Sequence, residues 1–426
     1  MTGPTGFAMV SPAMAHSQIQ LRLRDWWTFS AMLSLFAGLL TNVRFQFVGK
    51  ASVGELVLAM VALFAVLTNI GNPRFWSRNM ALILTALSVS LCGYVISDLV
   101  NGTPPDRLIR GWARMAFVMA NFIGVWSLAR TRVANLFALC VGDSLSTVLS
   151  YGSEHRDFLY NYKFHFAVPM TVFIMIVIPF LLRRHASFAT GVALLGVGMC
   201  HLWLDFRTLG GVCILIGFAL IARSMTASRL HSLYLILLML ALILSSVSIG
   251  YLYSTTNRSF SERREGSNSQ RLSLALAGIN AIERSPVVGL GSWTWDGDMW
   301  NVYAGRMGRG TLPDTAAGDT LGPHSQIIQA WAEAGLLGLV FFVYFGKLLL
   351  QALWRLFFRN ALNIMTPLFQ LYLLDSTWDL GCSPFANLHR LNIALALVIT
   401  IQVLRGAGNR QTARMLKRER LSEARA

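Results

Sequence analysis

Runs of apolar residues long enough to cross a lipid bilayer recur along the whole chain, and they leave it little choice of fold. A crossing takes about 20 mostly apolar residues. By that measure the sequence predicts twelve helices, near 26–43, 53–70, 79–97, 109–129, 133–150, 164–182, 187–203, 208–222, 231–252, 325–345, 362–378 and 388–404. Lipid cannot satisfy free backbone groups, so each span must be a helix or part of a closed barrel. The alternating polar-in, apolar-out pattern of a barrel is absent. The net charge of +16 would suit a nucleic-acid binder. Yet only 13% of the 426 residues are charged and 54% are hydrophobic, whereas a soluble chain is about a quarter charged. The expected fold class is an all-α polytopic membrane protein with about 12 transmembrane helices and one large outward-facing loop containing short helices.

Basic residues set the orientation. With a cytoplasmic N-terminus, the segments facing the cytoplasm hold Arg22/Arg24, Arg74/Arg78, Arg130/Arg132, Arg183/Arg184, Arg223/Arg229, Lys347/Arg355/Arg359 and the cluster from Arg405 to Arg425. Only Asp25, Glu419 and Glu423 oppose them. Every even-numbered span is followed by a basic pair or cluster, as the positive-inside rule requires. Both termini are therefore expected in the cytoplasm. The domains read as an N-terminal membrane domain over 1–252, an outward-facing loop over 253–323, C-terminal membrane helices over 324–404 and a basic cytoplasmic tail over 405–426. Ala13-Met14-Ala15 has the look of a cleavage site, but no basic residue precedes it and the apolar core is only Phe7 to Val10, so no signal peptide is expected. The five cysteines lack ligand spacing and read as small hydrophobes.

The long loop concentrates the polar chemistry. It carries Arg258, Arg263, Arg264, Arg271, Arg284, Arg306 and Arg309, with Trp293, Trp295, Trp300 and Tyr303. Residues 270–284 predict an amphipathic helix with Leu272, Leu276, Ile279 and Ile282 at helical spacing. Ser285-Pro286 ends it, and Gly289-Leu290-Gly291 makes a turn. His324 stands at the outer mouth of the tenth span, suited by its ordinary pKa to moving a proton, though an interfacial His can equally cap a helix. Arginine presents a fork that binds phosphate oxygens, while the loop arginines can also pair with Glu262, Glu265 and Glu283. The four aromatics could stack on sugar rings or simply anchor the membrane interface. Asp296-Gly297-Asp298 is too short a match to a nucleotide-sugar motif to carry weight. Glu333 falls nine residues past His324, about 13 Å along a helix and on the opposite face, so a structural polar contact is its expected role. Gly335 and Gly338 are expected to permit close helix packing. Asp375 and Asp379, near the outer end of the eleventh span, could orient His324.

Ser269-Gln-Arg271, running through the loop helix to Pro286-Val-Val-Gly289-Leu-Gly291, resembles a motif of the O-antigen ligase and O-antigen polymerase family. Pro323-His324 followed by Glu333-Ala-Gly335-Leu-Leu-Gly338 resembles that family's second motif. Asp205-Phe-Arg207-Thr-Leu-Gly210 is a looser match to a Ser-Arg-Gly segment preceding a span. The motifs cover roughly 205–345, and His324-Ser325 stands where many members have His-Asn. The resemblance implies a membrane glycosyltransferase of the bacterial inner membrane, its outward-facing loop a periplasmic loop and its active site periplasmic, that uses an undecaprenyl-diphosphate-linked glycan as donor, with no cofactor, metal or nucleotide sugar. It implies His324 as base and Arg271 with Arg207 as diphosphate ligands. The expected function is O-antigen ligase, with lipid A-core as acceptor, in lipopolysaccharide biosynthesis. A polymerase extending an O-antigen or exopolysaccharide chain is the alternative, and a polysaccharide transporter or flippase a more remote one. Transporter sites sit on broken helices near the midplane, whereas here the chemistry gathers in one loop and one helix mouth. Membrane lipid is an expected partner; nucleic acid is not.

Overall fold

The computed structural model describes residues 28–46, 50–73, 75–130, 132–153, 158–182, 185–204, 206–225, 258–293, 297–307, 322–358, 365–385 and 390–405. The ninth predicted span, the basic tail beyond residue 405, Asp205 and Trp295 lie outside them. The described helices are α1 (Phe29–Leu39), α2 (Val53–Asn69), α3 (Arg78–Val100), α4 (Pro105–Ala129), α5 (Val133–Leu149), α6 (Ala167–Leu181), α7 (Ala186–Trp203), α8 (Arg207–Met225), α9 (Arg258–Arg284), α10 (Gly297–Met307), α11 (Gln326–Phe358), α12 (Thr366–Cys382) and α13 (390–405). A π-helical turn, Tyr162–Phe166, leads into α6. Six of these helices are long and apolar enough to cross a membrane, among them α3, α4, α7, α8 and α11. α1, α2 and α5 are shorter but apolar. Two features depart from the sequence reading. A small antiparallel ribbon, Arg44–Gln46 with Lys50–Ser52, joins α1 to α2, and α11 runs well past residue 345.

Local chemistry explains where the helices start. Ser52 and Glu55 form a capping box at α2. Pro105 opens α4, where a missing N–H costs nothing. Glycines then let helices touch backbone to backbone. Gly38 of α1 faces Gly142 of α5, and a Cβ on either would lie about as close as 3.0 Å to the other's Cα. Gly191 and Gly198 of α7 face Gly217 and Gly210 of α8 in the same way.

The chain alternates between two ends of the bundle. At one end Arg223 Nη1 donates to the Leu356 carbonyl (2.6 Å), Arg355 Nη1 to Leu404 (2.8 Å) and Gln402 Nε2 to Ala129 (3.0 Å). The far end gathers the last turn of α3, the loop after α9, the start of α11 and the end of α12, where Ser325 Oγ donates to the Leu380 carbonyl (3.1 Å). Arg207, at the opposite end of α8 from Arg223, is on this second side.

Candidate active site

α11 is two helices. Its backbone breaks at Gly335, with φ 61° and ψ −155°, leaving a half-helix of residues 326–334 before the main span. Carbonyls and amides freed by a break in lipid need new partners, and the loop after α9 supplies them. Leu290 N donates to the Ala332 carbonyl (2.9 Å), Gly291 N to Glu333 (3.0 Å), and Leu336 N to Val287 (3.1 Å). The two recognisable motifs are thus one interlocked backbone structure. Gly335 does more than permit packing: its left-handed conformation creates the break. Gly338 packs as expected, with Gly93 pressed against its backbone.

A buried polar network holds the interlock. Arg114 of α4, 0% exposed, forms an ion pair with Glu333 and donates to the Phe385 carbonyl (3.0 Å) and Tyr94 Oη (3.2 Å). Gln329 Nε2 donates to Glu333 Oε1 (2.9 Å) and its Oε1 accepts from Phe385 N (2.7 Å). Asp98, at the end of α3, accepts from Ser292 N (2.5 Å), Ser292 Oγ (2.7 Å) and Trp112 Nε1 (2.8 Å). Ser97 Oγ donates to the Glu333 carbonyl and accepts from Gly291 N. Glu333 therefore has the structural polar contact expected of it. For the other charged members the sequence offers one signal, that Arg114 is a charge within the fourth predicted span; Asp98 falls just past the end of the third.

His324 is half-buried one residue before the Ser325 cap of the half-helix, where Ile328 N donates to Ser325 Oγ (3.3 Å). Ser325 thus performs the capping that Asn would also provide, and ties the His324 turn to α12 as well. Burial and the nearby Arg271 guanidinium both hold the His324 imidazole below its ordinary pKa. Arg271 is exposed on α9, and its charge also reaches Cys382 at the end of α12. Arg207 is exposed at the start of α8, which packs against α12. His324 and Arg271 accordingly lie near the same end of α12, and Arg207 is on the same side of the bundle.

Other candidates fare differently. Trp300 and Tyr303 are 4% and 1% exposed, enclosed with Leu274 and Ala304 in a small core under α9. Their rings are enclosed rather than open to a sugar, and Ala277, Ala281 and Met299 extend the apolar contact between α9 and α10. Trp293, with φ 56°, lays its ring 4.7 Å from the Arg114 guanidinium carbon. Among the described residues neither Asp375 nor Asp379 bonds to His324, and Asp379 is buried. α9 also differs from the amphipathic reading. It begins at Arg258, and Leu272 (53% exposed) and Ile279 face outward. The buried stripe is Leu274, Ala277 and Ala281, since Gly278 presses on Pro323 and Ile328 and only small neighbours allow that approach.

Residues 170–343, from α6 through the interlock into α11, match the family model described as O-antigen ligase. Over those residues the chain is similar to the O-antigen ligase/polymerase family. No curated protein matches it. The O-antigen ligase segment contains Arg207, Arg271, His324 and Gly335, whereas Asp98, Arg114 and Phe385, which hold it in place, lie outside. The match, together with the membrane-length apolar helices, supports an integral membrane protein carrying an O-antigen ligase-type segment.

Proposed function

We propose that this protein transfers a glycan from undecaprenyl diphosphate to a hydroxyl of lipid A-core, as an O-antigen ligase at the periplasmic face of a bacterial inner membrane. The twelve-span topology with both termini cytoplasmic belongs to the same proposal. One observation supports it above others: a half-buried His324 within the family-matched segment, its imidazole pKa held below the ordinary value by burial and by the nearby Arg271 guanidinium.

The reaction is a single inverting displacement. The acceptor oxygen forms a bond to the anomeric carbon as the bond from that carbon to the diphosphate oxygen breaks. His324 takes the acceptor proton, for which it must be neutral. Undecaprenyl diphosphate leaves with the electron pair, and Arg271 with Arg207 stabilises the charge that builds on it. Such a leaving group departs without a general acid, and holding donor and acceptor together contributes much of the rate.

Deleting the protein from its host and analysing both lipopolysaccharide and lipid-linked glycans tests the proposal. Long chains stranded on undecaprenyl diphosphate support a ligase. Single repeats on the core, or loss of exopolysaccharide with intact lipopolysaccharide, would make it a polymerase. His324→Ala should abolish transfer while donor binding survives; normal turnover by that variant sinks the mechanism.

A further inference from the structure

The half-helix 326–334 forms an arm with His324 beside one end, where Ser325 is tied to α12, and the break at Gly335 at the other. At 1.5 Å per residue the arm is about 13 Å, so a tilt of about 4° moves His324 by roughly 1 Å. Ser325 and Gln329 anchor the half-helix to α12 and the segment after it, and a charged contact holds the end at the break. Glu333 is the last charged residue before the break, and its carboxylate meets the Arg114 guanidinium. That guanidinium also bonds the Phe385 carbonyl and Tyr94, and its carbon lies 4.5 Å from the Phe385 ring and 4.7 Å from the Trp293 ring. One side chain of α4 thus touches α3, the half-helix, the segment after α12 and the loop that continues from the Arg271 helix.

We infer that Arg114 is the positioning residue for transfer, setting through Glu333 the angle of the His324 half-helix relative to the loop that follows the Arg271 helix. This rests on the reading of His324 as base and Arg271 as diphosphate ligand. Arg114 touches neither reacting group; it acts through Glu333 and Trp293.

A buried ion pair is a poor way to gain stability. Replacing one with apolar residues of similar volume is often neutral or stabilising, whereas removing a single partner is costly. The guanidinium offers something else, which is direction: a planar fork that satisfies several acceptors in one orientation. A purely structural Arg114–Glu333 pair could be exchanged for an apolar pair without loss of rate. A positioning pair could not.

The test uses the full chain in proteoliposomes, with undecaprenyl-diphosphate-linked O-antigen as donor and rough lipopolysaccharide as acceptor. The double variant Arg114→Met/Glu333→Leu removes both charges together and so avoids an unpaired buried charge. It leaves Gln329 Nε2 and the Phe385 carbonyl without these partners, and its melting temperature establishes that it folds. Its kcat should fall on the order of 100-fold, the cost of a displacement of about 1 Å in an oriented reaction, with KM little changed. Its acid limb should also move to higher pH, because a tilted half-helix hydrates His324 and carries it from Arg271. The charged group facing His324 from α9 is Arg271; from the end of α12 the titratable groups are Cys382 and Asp379. Wild-type kcat and pH profile in the folded double variant overturn the inference. Should that variant not fold, Arg114→Lys takes its place, keeping the charge but not the fork, and a fall in kcat at unchanged KM is again expected; unaltered kinetics refute it. A parallel His324→Ala arm separates the two claims, since full activity there overturns the underlying reading whatever Arg114 does.

Discussion

Gly289 and Gly335 meet backbone to backbone. A Cβ on Gly289 would lie 2.5 Å from the Glu333 carbonyl oxygen and 2.6 Å from Gly335 N. Both glycines have positive φ, 84° and 61°, so each is required twice, once for its dihedral and once for the space. Neither requirement can be relaxed without moving the half-helix that carries His324.

Gly335 and Gly102 form a matched pair of sites. Their φ values are 61° and 60°, but nothing lies within 4 Å of a Cβ at Gly102. Gly102→Ala should therefore cost only the left-handed penalty of about 1–2 kcal/mol. Gly335→Ala should cost that plus the clash with Val287 and Val288, about 1–3 kcal/mol more. Chemical denaturation in detergent measures both, and equal losses would mean the interlock tolerates a methyl group.

Adjacent glycines of α8 separate packing from propensity. A Cβ on Gly211 meets open space, while one on Gly210 would lie 2.9 Å from the Gly198 carbonyl and from Leu202. Gly211→Ala should be neutral or stabilise by up to about 1 kcal/mol through helix propensity. Gly210→Ala should destabilise. Thermal melting of the two variants side by side checks the difference in sign.

Arg271 acts on His324 through its charge, and the sign of the effect is fixed. The guanidinium lowers the imidazole pKa, and a general base works only above its pKa. Arg271→Gln should raise that pKa and shift the acid limb of kcat/KM to higher pH, besides lowering the rate. Arg271→Lys retains the charge but loses the fork, so the limb should stay while the rate falls nearly as far. A limb unmoved in Arg271→Gln would show that the arginine's charge does not govern the base.

Glu55 and Arg390 form the second buried pair, with Arg390 Nη2 2.6 Å from Glu55 Oε2. Asn121 Nδ2 adds a bond to Glu55 Oε1 (3.1 Å) and Ser52 N one to Oε2 (3.1 Å). Arg390→Leu should cost about 3–5 kcal/mol by leaving a carboxylate without its cation. Adding Glu55→Gln should recover much of it. A double-mutant cycle on unfolding reads the coupling; purely additive losses would make the pair incidental.

The sequence alone determined the helical class, the approximate ends of most described spans and the order of the motifs bearing Arg207, Arg271 and His324. Those features are local: a bilayer makes each span legible from its own hydropathy, and a motif from its own spacing. It did not reveal that Trp300 and Tyr303 fill a small core, or that α9 buries its Leu274 stripe rather than the leucines that looked amphipathic. Both depend on which surface α9 meets. Nor did it reveal the break in α11, because the residues around Gly335 favour helix on either side and the loop at 287–291 supplies the bonds that hold the break open. The partners of the buried charges were decided last of all. Arg114 and Glu333 are 219 residues apart, Asp98 and Ser292 are 194, and Glu55 and Arg390 are 335. A charge inside a span announces that it needs a partner, but only helix packing decides which one it meets.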